Sequence, residues 1–267
     1  MAPIRVMVTG PSGKMGREVI AALCKDPDTQ PVGALSRTAT AEATLDLPDG
    51  SGAIPVRNDA DILMHLVEAD VLVDFSNVDY TMPIAQKAFE HGLNVVTGTT
   101  GLAQEHLDFL HECADMYRLG ALWAPNFALG AVVLIRLAAI ASKYFDYAEI
   151  IEQHHEMKAD APSGTAIATA KAMAEARGSM FDTVPTLKET LPHARGSLVE
   201  GIPLHSVRLP GLLAHEEVLF GTAGQTLRLR HDTISRECYM PGVLLAVKEV
   251  MKFEGLKVGL ENVLGLP

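Results

Sequence analysis

Ile4-Arg-Val-Met-Val-Thr9-Gly10-Pro-Ser-Gly13-Lys-Met-Gly16-Arg-Glu-Val-Ile-Ala-Ala-Leu-Cys-Lys25 is the stretch that decides the fold. Its opening residues, Ile4 to Thr9, form a short β-branched run that predicts a strand. From Lys14 to Lys25, Val19, Ile20 and Leu23 recur at the three-to-four spacing of an amphipathic helix. Between them stands Gly-x-x-Gly-x-x-Gly, a variant of the turn by which a first βα unit approaches a pyrophosphate. Glycines suit this place because the chain must turn tightly and no Cβ can stand between backbone and phosphate. The free N–H groups and positive dipole end of the helix then face the anion. Gly10, Pro11, Ser12, Gly13, Lys14 and Met15 are therefore candidate cofactor-binding residues.

Outward from this unit the same alternation continues. Pro31 to Leu35 predicts a second strand, followed by a Gly-, Pro- and Asp-rich stretch that reads as loop. Helical patterns at Asp61–Val67, Thr81–His91 and Ala103–Tyr117 are interleaved with strand runs at Val71–Phe75, Asn94–Thr97 and Ala121–Ala124. Short apolar strands with little alternation are those that helices cover on both faces. The expectation is an α/β fold whose N-terminal part is a Rossmann-type, doubly wound parallel sheet. After an apolar helical stretch at Phe127–Tyr144 the pattern changes. Tyr147–Gln153, Leu204–Arg208, Glu216–Phe220 and Thr226–His231 predict strands, the last two joined by a Gly-containing hairpin loop. An Ala-rich helix is expected at Thr165–Ala176, mostly irregular chain at Gly178–Glu200, and a last helix at Val243–Lys252. This is a smaller α+β domain with a mixed sheet. The expected division is residues 1–126 and 240–267 for the dinucleotide and 127–239 for substrate and oligomerisation.

The bulk properties narrow the partners. Of 267 residues, 22 are basic and 33 acidic, for a formal net charge of −11. Such a surface repels nucleic acid and anionic lipid, so neither is an expected partner. An anionic substrate would need local basic groups or helix N-termini. The three cysteines, Cys24, Cys113 and Cys238, form no C-x-x-C pair, so no disulfide framework and no metal site are expected. The N-terminus runs straight into a strand without a signal-peptide pattern, and the most apolar stretch, Phe127 to Ile140, is interrupted by Arg136. No membrane span and a cytoplasmic location are expected.

Cofactor preference is written at the end of the second strand. An acid there binds a ribose 2′-hydroxyl, whereas an arginine accepts a 2′-phosphate. Ser36-Arg37 stands at this place with no acid, which predicts NADPH as the preferred reductant with NADH possible. Gly98-Thr99-Thr100 and Ala124-Pro125-Asn126-Phe127 follow later strands at the same edge and offer donors to the nicotinamide end.

The chemistry concentrates in Glu152-Gln-His154-His155-Glu-Met-Lys158-Ala-Asp160-Ala-Pro-Ser163-Gly164-Thr165. Along an extended strand Glu152 and His154 share one face and His155 takes the other. Ser163 and Thr165 open a helix whose N-terminal N–H groups suit a carboxylate, and Lys158 adds a full positive charge. The unit can hold an anion and place a histidine as proton donor or acceptor.

These residues resemble the signature of the dihydrodipicolinate reductase family, E-x-x-H-x-x-K-x-D-x-P-S-G-T-A, from Glu152 to Ala166. The resemblance extends to Val8–Gly16, V-D-F-S at Val73–Ser76, G-T-T-G at Gly98–Gly101, P-N-F at Pro125–Phe127, His205–Gly211 and His231–Arg236. It implies reduction of a small cyclic dicarboxylate in the diaminopimelate route to lysine. It also implies His154 and Lys158 as catalytic residues, with His155, Ser163, Gly164 and Thr165 on the substrate, and a homotetramer built through the second domain's sheet. Many members carry an acid at the place of Ser36 and use NADH well, so this chain departs toward NADPH. Two rival readings are another Rossmann reductase of a small carboxylate and a non-catalytic NADP-binding sensor. The short-chain type is disfavoured because neither Tyr144 nor Tyr147 has a lysine four residues on.

Overall fold

The computed structural model describes residues 2–188, 190–192 and 194–265. In chain order its main elements are β1 (Ile4–Thr9), α1 (Lys14–Lys25), β2 (Thr29–Leu35), β3 (Thr44–Asp46), β4 (Ala53–Arg57), α2 (Ala60–Leu66), β5 (Val71–Asp74), α3 (Val78–Glu90), β6 (Asn94–Thr97), α4 (Gln104–Tyr117) and β7 (Gly120–Trp123). They continue as α5 (Leu129–Ala141), β8 (Tyr147–His154), α6 (Gly164–Arg177), β9 (Ser197–Val199), β10 (Ile202–Arg208), β11 (Ala214–Thr222), β12 (Gln225–Thr233), α7 (Met240–Val250) and β13 (Gly255–Val258). The contacts divide into two compact units, Met1–Ala128 with Arg236–Pro267, and Leu129–Ser235.

The first unit is built on a sheet of order β13-β7-β6-β5-β1-β2-β4-β3. All its neighbouring pairs are parallel except β3 with β4. The chain adds strands to one side of β1 and then crosses to start β5 on the other, which puts a topological switch point at the carboxyl ends of β1 and β5. Every residue of β5 and β6 is buried, as expected of strands covered on both faces. Met7, Leu72, Phe89 and Leu110 are fully buried in the core that α3 and α4 close. α1 turns Gly16, Val19, Ile20 and Leu23 inward, the face its spacing predicts.

Two differences from the sequence reading lie in this unit. The stretch read as loop after β2 contains β3 and β4. β4 owes its place to parallel pairing with β2, which buries Ile54 and Val56 against Ala34. A terminal strand not foreseen, β13, pairs with β7. Both depend on partners distant in the chain, which a local pattern does not reveal.

The second unit is a mixed sheet of order β12-β11-β8-β10-β9. β8 and β10 are parallel and the other pairs antiparallel. α5 and α6 supply Leu134, Ala138, Ala166, Ala170 and Met173 to one face, against Ile150, Leu204, Val218 and Phe220. Strand alternation turns Ala148, Ile150 and Glu152 of β8 to that buried side. The β11–β12 hairpin turns at Ala223-Gly224, where Gly224 takes φ +76°.

Candidate active site

In the first unit the glycine turn has the geometry its spacing predicts. Gly10 adopts φ +62°, and Gly13 N donates to Gly10 O at 3.0 Å. A Cβ added at Gly16 would lie 2.1 Å from Gly10 O, so only glycine lets α1 start this close to the turn. The N-cap of α1 is Gly13 and its first turn holds no acidic residue. The free N–H groups there have no side-chain competitor for an anion. Pro11 is buried, whereas Ser12, Gly13 and Lys14 are exposed and Met15 is half-buried.

Ser36 and Arg37 follow β2 directly. Ser36 N donates to Arg57 O at 2.9 Å, and its hydroxyl lies 3.3 Å from that of Thr38. The exposed Arg37 guanidinium sits 5.9 Å from the centre of the Tyr80 ring. A groove beside them is lined by Ser12, Arg17, Ser36, Thr38 and Asp46. Arg17 was not among the sequence candidates. It follows the last glycine of the turn, and its signal is a cation in the first turn of the helix, at its fourth residue.

The carboxyl ends of β1, β5 and β6 meet around Asp74. Its buried carboxylate accepts from Thr9 at 2.5 Å, Ser76 at 2.7 Å, Thr81 at 2.6 Å, Thr99 at 2.8 Å and Thr97 at 3.3 Å. This hub fixes Thr99 within the Gly98–Thr100 loop. Trp123 Nε1 adds a bond to Thr99 O at 2.9 Å. Gly98 is required by packing, since a Cβ would lie 2.1 Å from the Phe75 ring. Phe75 meets Phe127 edge to face at 5.2 Å, bringing the Ala124–Phe127 loop beside Gly98. Ala124 is buried and its N–H donates to Thr97 O. Asn126 Oδ1 accepts from Ala128 N at 2.9 Å, which leaves the amide nitrogen as the group to donate. Thr100 and Pro125 are exposed. The sequence reading held V-D-F-S as a motif and gave Asp74 no role.

In the second unit the site grows from Glu152, whose side chain is fully buried. His154 Nδ1 donates to its Oε2 at 2.5 Å, as the shared face of the strand predicts. Arg208, at the end of β10, grips the same carboxylate with both terminal nitrogens, at 2.9 and 2.8 Å. Ser163 N adds a longer bond to Oε1 at 3.3 Å. Burial acts to raise the Glu152 carboxyl, but the hydrogen bonds from His154, Arg208 and Ser206 outweigh it and hold it at about 2. An ionised carboxylate only accepts, so Nδ1 carries a hydrogen and Nε2 of His154 is the nitrogen left for chemistry.

The loop after β8 is tied to this cluster. Arg208 also donates to the Asp160 carbonyl at 2.6 Å, and Lys158 N donates to His155 O at 3.2 Å. Lys158 Nζ lies 2.8 Å from Asp160 Oδ1, and that ammonium lowers the Asp160 carboxyl below its ordinary value. Ser163 caps α6 by accepting from Ala166 N at 3.2 Å. Gly164 and Thr165 then head the helix with N–H groups that have no intrahelical partner. Gly164 has open space around its Cα. His154, His155, Lys158, Ser163, Gly164 and Thr165 thus fall on one strand–loop–helix unit. Arg208 was missed as a site residue. Its signal was its place in the His205–Gly211 motif, to which the sequence reading gave no role. Among the described residues no cluster could hold a metal ion, and no helix is long and apolar enough to cross a membrane.

Comparison with known proteins gives one family for both parts of the chain. The model of the N-terminal part of dihydrodipicolinate reductase matches residues 4–127, and that of its C-terminal part matches residues 130–264. The chain is 49% identical, over all of both chains, to the 4-hydroxy-tetrahydrodipicolinate reductase of Dehalococcoides mccartyi strain CBDB1. It is 46% identical to the enzyme of that name from Synechococcus elongatus, covering 98% of this chain and 99% of the relative. The dipicolinate-bound dihydrodipicolinate reductase of Paenisporosarcina sp. TG-14 superposes with a TM-score of 0.87 at 39% identity, covering 97% of this chain and 99% of that one. The amine dehydrogenase of Mycobacterium smegmatis, at 18% identity and a TM-score of 0.65 over 99% and 96% of the two chains, shares the fold alone.

Proposed function

The chain belongs to the dihydrodipicolinate reductase family, and from that premise we propose how its residues perform the reaction. It is a pyridine-nucleotide-dependent oxidoreductase that reduces 4-hydroxy-tetrahydrodipicolinate in the diaminopimelate route to lysine. The observation that carries the assignment of roles is the bond from His154 Nδ1 to a doubly clamped, ionised Glu152.

A reduced nicotinamide held by the first unit would supply the hydride that ring C4 of the dehydrated substrate accepts. His154 is the general acid and base for the accompanying proton, acting through Nε2, because Glu152 fixes the ring by Nδ1 and stabilises its protonated form. Lys158 exchanges Asp160 for a substrate carboxylate and assists as proton donor. The N–H groups of Gly164 and Thr165, with Ser163 and His155, bind the dicarboxylate at the head of α6.

Gly10, Pro11, Ser12, Gly13, Lys14 and Met15 cradle the pyrophosphate. The tight approach at Gly16, which a Cβ would fill, and a first turn of α1 with neither a side-chain cap nor an acidic residue fit that group. Arg37, with Ser36 as an added donor, selects NADPH over NADH by charge against the 2′-phosphate. Gly98, Thr99, Thr100 and Ala124 to Phe127 hold the nicotinamide end, with the Asn126 amide facing the carboxamide.

We place subunit contact, in a homotetramer, on the sheet face of the second unit turned away from α5 and α6. Half-exposed Tyr147 and Val207 lie on that face. The cytoplasm, where the reduced cofactor is made, is the site of action.

The test is oxidation of NADPH, with NADH in parallel, using substrate freshly made from aspartate semialdehyde and pyruvate. His154→Gln is expected to lower kcat by about 100-fold or more with little change in KM. An unchanged kcat would remove His154 from the proton-transfer role.

A further inference from the structure

A second buried carboxylate lies beside Glu152. In the antiparallel pairing of β8 with β11, Glu216 stands directly opposite Glu152. Such partners have Cβ atoms about 5 Å apart on one face of a sheet. Glu216 is 7% exposed and Glu152 is fully buried, so little water screens the pair. Two carboxylates this close in a dry site do not both ionise within the ordinary carboxylate range; the second holds its proton to higher pH.

The surrounding groups decide which one keeps the proton. From β10, Arg208 is committed to Glu152 through both terminal nitrogens. From β8, His154 donates to Glu152 as well. From β12, His231 is the cross-strand partner of Glu216, and burial pushes it toward its neutral form. From α6, the Thr169 hydroxyl bonds the Glu216 carboxyl, while Lys171 and Glu175 of that helix are exposed and its Arg177 donates to the Ser142 and Phe145 carbonyls. The titratable residue of α5 is Arg136. Glu216 Oε1 is buried without a hydrogen-bond partner, an environment that a neutral carboxyl tolerates far better than a charged one. Burial first, and then the Glu152 charge, push Glu216 up to about 7.

We propose that Glu216 is a positioning residue that sets the protonation of His154. It is a neutral acid while Glu152 carries the charge, and on ionising it favours the imidazolium. The coupling runs through Glu152, the common neighbour of both groups. With Glu216 neutral, one negative charge faces His154 and Arg208. Loss of the Glu216 proton adds a second negative charge opposite Glu152, which favours the charged form of the neighbouring imidazole. The proposal builds on the assignment of His154 as the acid, but its test does not depend on turnover.

The experiment follows the His154 imidazole and the Glu216 carboxyl by NMR across pH, in the wild-type protein and in Glu216→Gln, a close mimic of the neutral acid. In the wild type the Glu216 carboxyl is expected to titrate near 7. In Glu216→Gln, His154 is expected to titrate lower by at least about half a pH unit. A wild-type Glu216 titrating in the ordinary carboxylate range overturns the proposal, even if the variant does not fold. So does a His154 titration that the substitution leaves in place. The alkaline limb of kcat/KM, read alongside, separates the two assignments. A shift of His154 without a matching shift of that limb refutes His154 as the acid and sustains the coupling.

Discussion

Glu152 Oε2 accepts from His154 Nδ1 at 2.5 Å while the Arg208 guanidinium spans both oxygens of the same carboxylate. The glutamate therefore does two jobs with one charge. It orients the ring and selects the tautomer that leaves Nε2 free, and it makes the protonated ring more stable. A buried ion pair of this kind is justified by the partner it positions rather than by net stability. Glu152→Gln removes the charge and sets an amide against the Arg208 fork. The expected outcome is a fall in kcat of about 100-fold or more, with NADPH binding unchanged, since the cofactor residues lie on other elements. Steady-state kinetics with a parallel cofactor titration checks it; equal losses in both would show a folding defect instead.

Stability should vary with pH in opposite senses for the two facing carboxylates. Glu152 is held at about 2, below the ordinary 4.5. Its contribution is present above about 4.5 and lost as pH falls toward 2. Glu216 is raised to about 7. Its contribution is full below about 4.5 and lost as pH rises through 7. Glu216→Gln, which stays neutral, should therefore raise the Tm at pH 8 more than at pH 5.5. Thermal unfolding across that range reads the difference, and equal shifts at both values would contradict an ionising Glu216.

Gly16→Ala tests the close approach at the glycine turn. The new methyl would meet the Gly10 carbonyl oxygen at 2.1 Å, and backbone cannot swing aside as a flexible side chain can. Overpacking of this kind costs about 1–3 kcal/mol and displaces the N-terminus of α1 from the anion. NADPH affinity is expected to fall at least about tenfold, read by quenching of cofactor fluorescence. Unaltered affinity with unaltered Tm would mean that the turn tolerates a Cβ.

Arg37→Ala addresses cofactor choice. Arg37 is exposed, and Tyr80 lies at the outer limit of a cation–π contact, so the guanidinium is free to meet a phosphate. Its removal is expected to weaken NADPH by about tenfold and leave NADH nearly unaffected. The ratio of kcat/KM for the two cofactors reports it directly; a ratio unmoved by the substitution would assign selectivity to another residue of the groove, with Arg17 the first to examine.

What the sequence determined by itself is what local physics controls. Gly10-x-x-Gly13-x-x-Gly16 between a β-branched run and an amphipathic helix is enough to specify the βα turn, because each glycine answers a steric demand within a few residues of itself. Period-two alternation put Glu152 and His154 on one face, and Ser163 marked the head of α6, for the same reason. Tertiary structure decided the rest. Arg208 reaches Glu152 because β10 pairs in parallel with β8, and Glu216 faces it because β11 pairs antiparallel on the other side. β4 and β13 are strands because β2 and β7, distant in the chain, pair with them, and β3 is a strand because it pairs with the β4 so placed. Asp74 became a hub only when hydroxyls from separate elements, Thr9, Thr81 and Thr99 among them, were folded around it. Local sequence specifies which groups a segment carries and which face it turns; pairing register, set by the whole core, specifies which charge each group meets.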